Sequence, residues 1–434
     1  MSEDGLLRRI LPHLPGGTGT LIGPGDDAAW LALPSGRALI CVDVMVAGVH
    51  FKPEWCSGAD VGWRVAMANL ADIAAMGGHG TALVVAVTAP PDTDPAWFEE
   101  LAVGLSEACG PLDVGVVGGD LSSGPVLSVA ATALGEVTGA GAVTRGGAKS
   151  GDVVALAGAT GYSAAGLACL SAELPGHSAD RVATPGSSCA SASHQTSSCA
   201  SASESQTEES RVQRQLAGLA EANEGLDEGR SPEEQNPAIQ PGPTDMDAAT
   251  PLRGAQHDKG SGHPADRAAI SQNDDGASLR HDDGANPRHD GEVSPQTAAM
   301  QQAVQAYRRP APPLAAGPAA AQAGATAMID VSDGLLLDAG RIAAASGVDL
   351  VLDPAAPALA GPADSLADLA KRLGVNPLDW VLTGGEDHAL LATFPGGAAL
   401  PAGWSGIGHC MAGPGRVRLL GNHQPASAGW DHFA

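Results

Sequence analysis

Along the first 171 residues, apolar positions switch repeatedly between strand-like and helix-like spacing. RALICVDVMV (37–46) is rich in β-branched residues and reads as a strand. GADVGWRVAMANLADIAAMGG (58–78) reads as a helix that stops at paired glycines. TALVVAVTAP (81–90) is a buried strand closed by proline. DPAWFEELAVGLSEACG (94–110) is a helix with Asp94 as cap, Pro95 in its first turn, and Phe98, Leu101 and Leu105 on one face. LDVGVVGG and VLSVAATALGEV return to strand. The alternation resumes after 307: residues 325–352 read strand, turn, helix, strand, and ADSLADLAKRLG (363–374) reads as a helix capped by Gly374. DWVLTGGEDHALLATFP (379–395) then sets acids on a Gly-rich turn before a strand. Strands alternating with helices predict a mixed α/β fold.

Between 174 and 300 this patterning breaks down. No Phe, Trp or Tyr occurs from Tyr162 to Tyr307, SSCASAS appears at 187–193 and again at 197–203, and DDGA and RHD each recur after eight residues within 274–292. Such a stretch cannot bury enough apolar surface to offset its ordering entropy, so a disordered insertion is expected, with at most a short helix near 211–222. Its His-Asp pairs read as a solvated loop, or as a weak metal contact. The expected organisation is an N-terminal domain (1–140), the start of a C-terminal domain (141–173), the insertion (174–300), and the remainder of the C-terminal domain (301–434).

Charge narrows the function. A net charge of −26 argues against a nucleic-acid surface and against an anionic membrane, and suits a protein that holds cations. The seven cysteines include no C-x-x-C pair and their number is odd, which points to reduced thiols in the cytoplasm rather than zinc or disulfides. The first residues lack the order of a signal peptide, and no apolar run approaches the roughly 20 residues that span a bilayer.

The acids are not scattered. Asp26 and Asp27 follow Gly23, Pro24 and Gly25, and further acids fall at joints next to apolar runs: Asp43, Asp72, Asp120, Asp330 with Asp333, and Glu386 with Asp387. Singly, each has a plain alternative: Asp72 can finish a helix turn, Asp333 can favour a helix dipole, and Glu386 can sit in a turn. Together they are partly desolvated carboxylates that need partners. Lys and Arg total only 23, and the acid turns contain almost none. A divalent cation, Mg²⁺ first, is the expected partner. Neither a G-x-x-x-x-G-K-[ST] loop nor a dinucleotide-binding G-x-G-x-x-G follows a strand. GGAKSGD (146–152), preceded by Arg145, can meet a phosphate or simply turn a hairpin. Many acids with one or two basic residues fit nucleotide phosphates held mainly through Mg²⁺.

The ordered motifs GDDAAW, VDVMVAGVHF, NLADIAAMGG, GGDLSSGP, TRGGAKSGD, GYSAAGL, YRRPAPPLAAG, MIDVSDGLLLDAGRIAAASG, LTGGEDHALL and WDHFA resemble, in order, those of the thiamine-monophosphate kinase family. Pieces such as DVSDGL are shared with the wider PurM-like superfamily of aminoimidazole-ribotide synthetase. The resemblance covers nearly all of the chain outside 174–300, where the family usually has a short connection. It implies two α/β domains, a homodimer paired through the N-terminal domain, and sites at the domain and dimer junction. The implied reaction converts ATP and thiamine monophosphate into ADP and thiamine diphosphate with several Mg²⁺ ions, as the last step of thiamine diphosphate biosynthesis.

Carried over by motif, Asp27, Cys41, Val42, Asp43, Asp72, Asp120, Asp330 and Asp333 would hold metal. Gly119, Asp120, Arg145 and Ser332 would contact ATP, and His50, Glu386 and Trp430 would contact thiamine monophosphate. An aromatic face at Trp430 suits a cationic thiazolium. Cys41 and Val42 stand where the family usually has Ser or Thr, and Leu121 to Ser123 replace Thr-Thr-Arg. Direct in-line transfer to an already ionised phosphate needs no general base. The alternatives are another ATP-using enzyme of the superfamily, or a non-catalytic binder of nucleotide or thiamine phosphate.

Overall fold

The computed structural model describes residues 3–24, 29–137, 141–172 and 295–430. The Asp26–Asp27 turn, nearly all of the 174–300 stretch including 211–222, and the last four residues lie outside the described residues.

The N-terminal half begins with α1 (Glu3–Ile10) and a short ribbon of β1 (Thr20–Ile22) and β2 (Trp30–Leu31). It continues through β3 (Leu39–Val46), α2 (Gly58–Ala75), β4 (Gly78–Ala89), α3 (Pro95–Cys109), β5 (Gly115–Ser123) and β6 (Ser128–Val137). The main sheet runs β3-β6-β4-β5, antiparallel except for the β4–β5 pair. Helix α2 starts in a capping box: the Ser57 hydroxyl accepts from the Asp60 N–H, and the Asp60 carboxylate accepts from the Ser57 N–H. In α3, Asp94 accepts from the Ala96 N–H at 2.9 Å ahead of Pro95. Both helices cover one face of the sheet, burying Val61, Val65, Leu83, Leu101, Leu105 and Ala131. The opposite face leaves Ile40, Val42, Val44 and Val84 exposed.

The remaining elements are β7 (Val153–Ala157), α4 (Tyr162–Ser171), α5 (Pro295–Arg308), α6 (Ala316–Gln322), β8 (Ala327–Val331), α7 (Leu335–Ser346), β9 (Val348–Leu352), α8 (Pro357–Leu373), α9 (Pro377–Thr383), β10 (Ala389–Phe394), β11 (Trp404–Ala412) and β12 (Val417–Leu419). Their six-stranded sheet runs β12-β9-β11-β7-β10-β8. Apolar residues of α7, α8 and α9 fill one side. Ala74 and Ala75 at the end of α2, with Ala320 of α6, pack against Phe394 and Met328 on the other. Helix α2 therefore touches both sheets, and its last turn lies where they meet. This is the mixed α/β architecture expected.

Three elements differ from the sequence expectation. Helix α8 starts at Pro357 rather than 363 and runs through Pro362, because Leu359, Ala363, Leu366 and Leu369 bury one continuous face. Strand β4 starts at Gly78 because Gly78 to Gly80 pair with Val137 to Gly135. Helix α5 takes up residues 295–300 of the stretch read as an insertion, since Met300, Ala303, Val304 and Tyr307 are buried at helical spacing.

The α2–α3 contact depends on small residues. A Cβ on Gly104 would stand 1.9 Å from the Ala59 carbonyl oxygen, so the helices approach backbone to backbone. Gly104→Ala is expected to destabilise the chain by about 1–3 kcal/mol through overpacking. Gly110→Ala, where a Cβ meets nothing within 4 Å, is the control in the same thermal melt.

Candidate functional site

Acids from both halves meet at the end of α2. Asp43 lies on β3 with Cys41 and Met45, on the half-buried face toward α2. Buried Asn69 ties that strand to the helix. Its side-chain oxygen accepts from the Asp43 N–H at 3.2 Å, its amide donates to the Val65 carbonyl at 2.8 Å, and the Cys41 thiol donates to its carbonyl at 3.3 Å. Sequence reading missed Asn69; the signal was a lone amide in the apolar run ahead of Asp72. Burial, then the charges of Asp330 and Asp43, push Asp72 up to about 7. Asp43 is also raised, first by burial, against the pull of His388, and further by Asp330, Glu386 and Asp333. These carboxylates sense one field.

Two turns of the C-terminal half close around them. The Glu386 N–H donates to the Ser332 carbonyl at 2.8 Å and the His388 N–H to the Val331 carbonyl at 3.1 Å, joining the GGEDH turn to the end of β8. The approach is tight: a Cβ on Gly385 would lie 2.3 Å from the Ser332 oxygen. Glu386 (φ 69°) and His388 (φ 52°) both adopt left-handed backbone, a strain kept where surrounding contacts enforce it. Cations answer these acids, two of them from distant segments. His388 Nδ1 lies 3.2 Å from Asp330. Burial opposes its charge, but the Asp330 hydrogen bond and nearby acids push it up to about 9. Arg341 pairs with Asp333 at 2.6 Å and with Asp338. Arg64 pairs with Glu386 at 2.6 Å. Asp387 instead accepts the Gly161 and Ser163 N–H groups at the start of α4, at 2.7 and 2.8 Å.

The other expected residues divide. His50, whose Nδ1 accepts from the Val46 N–H at 3.0 Å, is close enough to help keep Glu386 ionised. The Trp430 backbone N–H donates to the Asp333 carbonyl at 2.9 Å, which sets this exposed residue beside Asp333. The Val42 side chain, by strand parity, lies on the opposite face from Asp43 and is exposed. Gly119 and Asp120 stand on β5, the far edge of the sheet from β3. They line a cavity of about 570 Å³ with Val85, Leu101 and Leu105, and Pro24 and Ala29 also reach its wall. Arg145 is exposed, and its carbonyl accepts from Ser346 at 3.1 Å, at the opposite end of α7 from Ser332. Asp27 lies outside the described residues. Among the described residues no three His, Cys, Asp or Glu side chains converge as a closed metal site. A Mg²⁺ ion held by one or two carboxylates, with phosphate oxygens and water, needs no such closure.

The raised groups fix a pH dependence. Folded Asp72, at about 7, binds a proton that the unfolded chain has released above its ordinary 3.8, and folded His388 keeps its proton up to about 9. Both contributions are present in acid and disappear as pH rises through the folded values. Without metal, the chain is expected to melt at a lower temperature at pH 8.5 than at pH 6. Asp72→Asn is expected to flatten that slope and raise the melting temperature at pH 8.5; thermal unfolding across this range checks both.

Comparison with known proteins agrees with this picture. Residues 25–137 match the family model "AIR synthase related protein, N-terminal domain". Thiamine-monophosphate kinase of Mycobacterium tuberculosis (strain CDC 1551 / Oshkosh) is 33% identical over 413 residues, covering 95% of this chain and 86% of the relative. The Corynebacterium glutamicum enzyme of the same name is 28% identical over 387 residues, covering 88% and 80%. Among solved structures, thiamine-monophosphate kinase from Stenotrophomonas maltophilia K279a matches at TM-score 0.58 and 22% identity, covering 97% of this chain and 96% of that one. AaThiL complexed with AMPPCP and TMP matches at TM-score 0.58 and 21% identity, covering 99% and 95%. The structural matches establish a PurM-like fold, and the Mycobacterium relative establishes the family. The chain belongs to the thiamine-monophosphate kinase family of enzymes.

Proposed function

We propose that this chain transfers the γ-phosphoryl group of ATP to thiamine monophosphate, forming thiamine diphosphate and ADP in the cytoplasm. The observation that carries this reading is the carboxylate group Asp43, Asp72 and Asp330, set beside His50, Glu386 and Trp430, in a chain 33% identical to such a kinase over 95% of its length. The acceptor phosphate is already ionised at neutral pH, so the reaction needs charge neutralisation and alignment rather than a base.

Mg²⁺ fits the residues present. Asp72 is raised by burial and then by neighbouring negative charge, and the cation that counters it, His388, is engaged by Asp330. Asp43, Asp72 and Asp330 would hold the metal, with Asp333, already paired to Arg341, in an outer position. When bound, the ion neutralises phosphate charge and orients donor and acceptor oxygens. His388 holds Asp330 in place. The Trp430 face suits the thiazolium cation. The apolar cavity at Gly119 and Asp120 suits the adenine ring.

Asp120 carries a further consequence. Asp43, Ala131, Val85 and Gly119 form one row across the sheet, so Asp43 and Asp120 are about 14 Å apart, three strand spacings of roughly 4.8 Å. Their side chains also leave opposite faces. We therefore assign Asp120 to the site of a partner subunit, in a homodimer that covers the bare face of Ile40, Val42, Val44 and Val84.

Three measurements test the reading. Thiamine diphosphate should appear one-for-one with ADP when the protein meets thiamine monophosphate, ATP and Mg²⁺. ADP alone would indicate another acceptor, and saturable binding without turnover a non-catalytic protein. Mg²⁺ must displace the proton from Asp72, so its apparent affinity should rise with pH up to about 7 and then level off, with proton release seen by calorimetry in two buffers. Inactive Asp72→Asn and Asp120→Asn chains, mixed and reassembled, should regain activity through one intact shared site; no recovery would return Asp120 to its own chain.

A further inference from the structure

We infer that Arg64 is the positioning residue for the phosphoryl acceptor: it fixes Glu386 so that one carboxylate oxygen is left for the amino or cationic ring of the substrate. This rests on the acceptor reading proposed above for Glu386.

The geometry is specific. Arg64 lies on α2, in the N-terminal half, and is 1% exposed. Its Nη2 donates to Glu386 Oε2 at 2.6 Å, across 322 residues of sequence. The guanidinium lies over the Tyr307 ring at 4.5 Å, and Nη1 is 3.8 Å from the Cys56 sulfur. The ring and the sulfur fix its plane. Arg64 Nε has no hydrogen-bond partner among the described residues. A buried cation with an unsatisfied N–H is an expensive way to fill space, and an apolar side chain of similar volume would pack there at less cost. The return on that cost lies at Glu386. The Glu386 backbone is pinned by Ser332, leaving only side-chain torsions free, and Arg64 holds those through one oxygen. Arg64 engages Oε2, and the Glu386 side chain remains 37% exposed, which leaves Oε1 for a ligand. A charge-assisted bond to a planar fork keeps that carboxylate ionised and oriented.

The test separates acceptor positioning from general structure. Steady-state kinetics are compared for the wild-type chain and for Arg64→Lys, Arg64→Met, Glu386→Gln and the Arg64→Met/Glu386→Gln double variant. Arg64→Met should raise KM for thiamine monophosphate about tenfold or more, as expected for losing a hydrogen bond to a charged group, and leave KM for ATP within about twofold. Arg64→Lys keeps the charge without the fork and should fall between. The double variant should cost no more than the worse single variant, because Arg64 acts through Glu386. Equal rises in both KM values, additive losses in the double variant, or an unchanged acceptor KM in Arg64→Lys would each overturn the inference. Should Arg64→Met fail to fold, Arg64→Lys and Glu386→Gln decide it alone, by the same split between acceptor and ATP. A wild-type chain that does not phosphorylate thiamine monophosphate overturns the functional reading and this inference together. Normal wild-type turnover with the wrong split overturns this inference only.

Discussion

Like charges forced together in a half-dry place are the constraint around which this molecule is arranged. Asp43 and Asp72 come from the N-terminal half, Asp330 from the end of a strand in the other; Asp330 raises the proton affinity of both, and Asp43 that of Asp72. Left unanswered, that crowding would push the halves apart. It is answered partly by protein cations: His388 to Asp330 and Arg64 to Glu386 from distant segments, and Arg341 to Asp333 from the helix that follows it. On the proposed function, the remaining negative charge is what a divalent ion and phosphates would meet.

Helix α2 makes that convergence possible. Its first turns pack on the four-stranded sheet and its last alanines on the six-stranded one. The end of α5 and the residues just after it hold it there. Trp63 Nε1 donates to the Pro310 carbonyl at 2.7 Å, and Arg309 pairs with Asp60 at 2.9 Å and Glu107 at 2.6 Å. Arg308 Nε reaches the Trp55 carbonyl at 2.7 Å. The YRRP motif thus has a physical role: it secures the helix that carries Arg64, Asn69 and Asp72.

Much of this was legible in the amino-acid sequence, and the gaps have physical causes. Caps and periodicity announced α2 and α3, because Ser57, Asp60 and Asp94 act within one helical turn of themselves. The acids stood out because charge beside apolar runs is rare. Two of their cations were invisible: Arg64 and Glu386, like His388 and Asp330, meet only after the sheets have formed, and no local window contains either pair. The proline rule failed at Pro362, where a continuous buried face outweighed one lost hydrogen bond. Strand parity was readable in principle, and it separates Val42 from Asp43. Which edge strand lies far from which depended on the β3-β6-β4-β5 order, set by long-range pairing.

The unequal exposure of the Arg64–Glu386 pair bears on how such a site can drift over generations. Replacing Arg64 first leaves Glu386 with an open side that water can solvate. Replacing Glu386 first by an apolar residue strands a guanidinium that no solvent reaches, and uncompensated buried charge is among the costliest single defects a fold can carry. Decay of the pair therefore has a preferred order, with the arginine lost before the glutamate. Persistence of an acid at 386 in a lineage would by itself say as much about a buried neighbour as about the substrate.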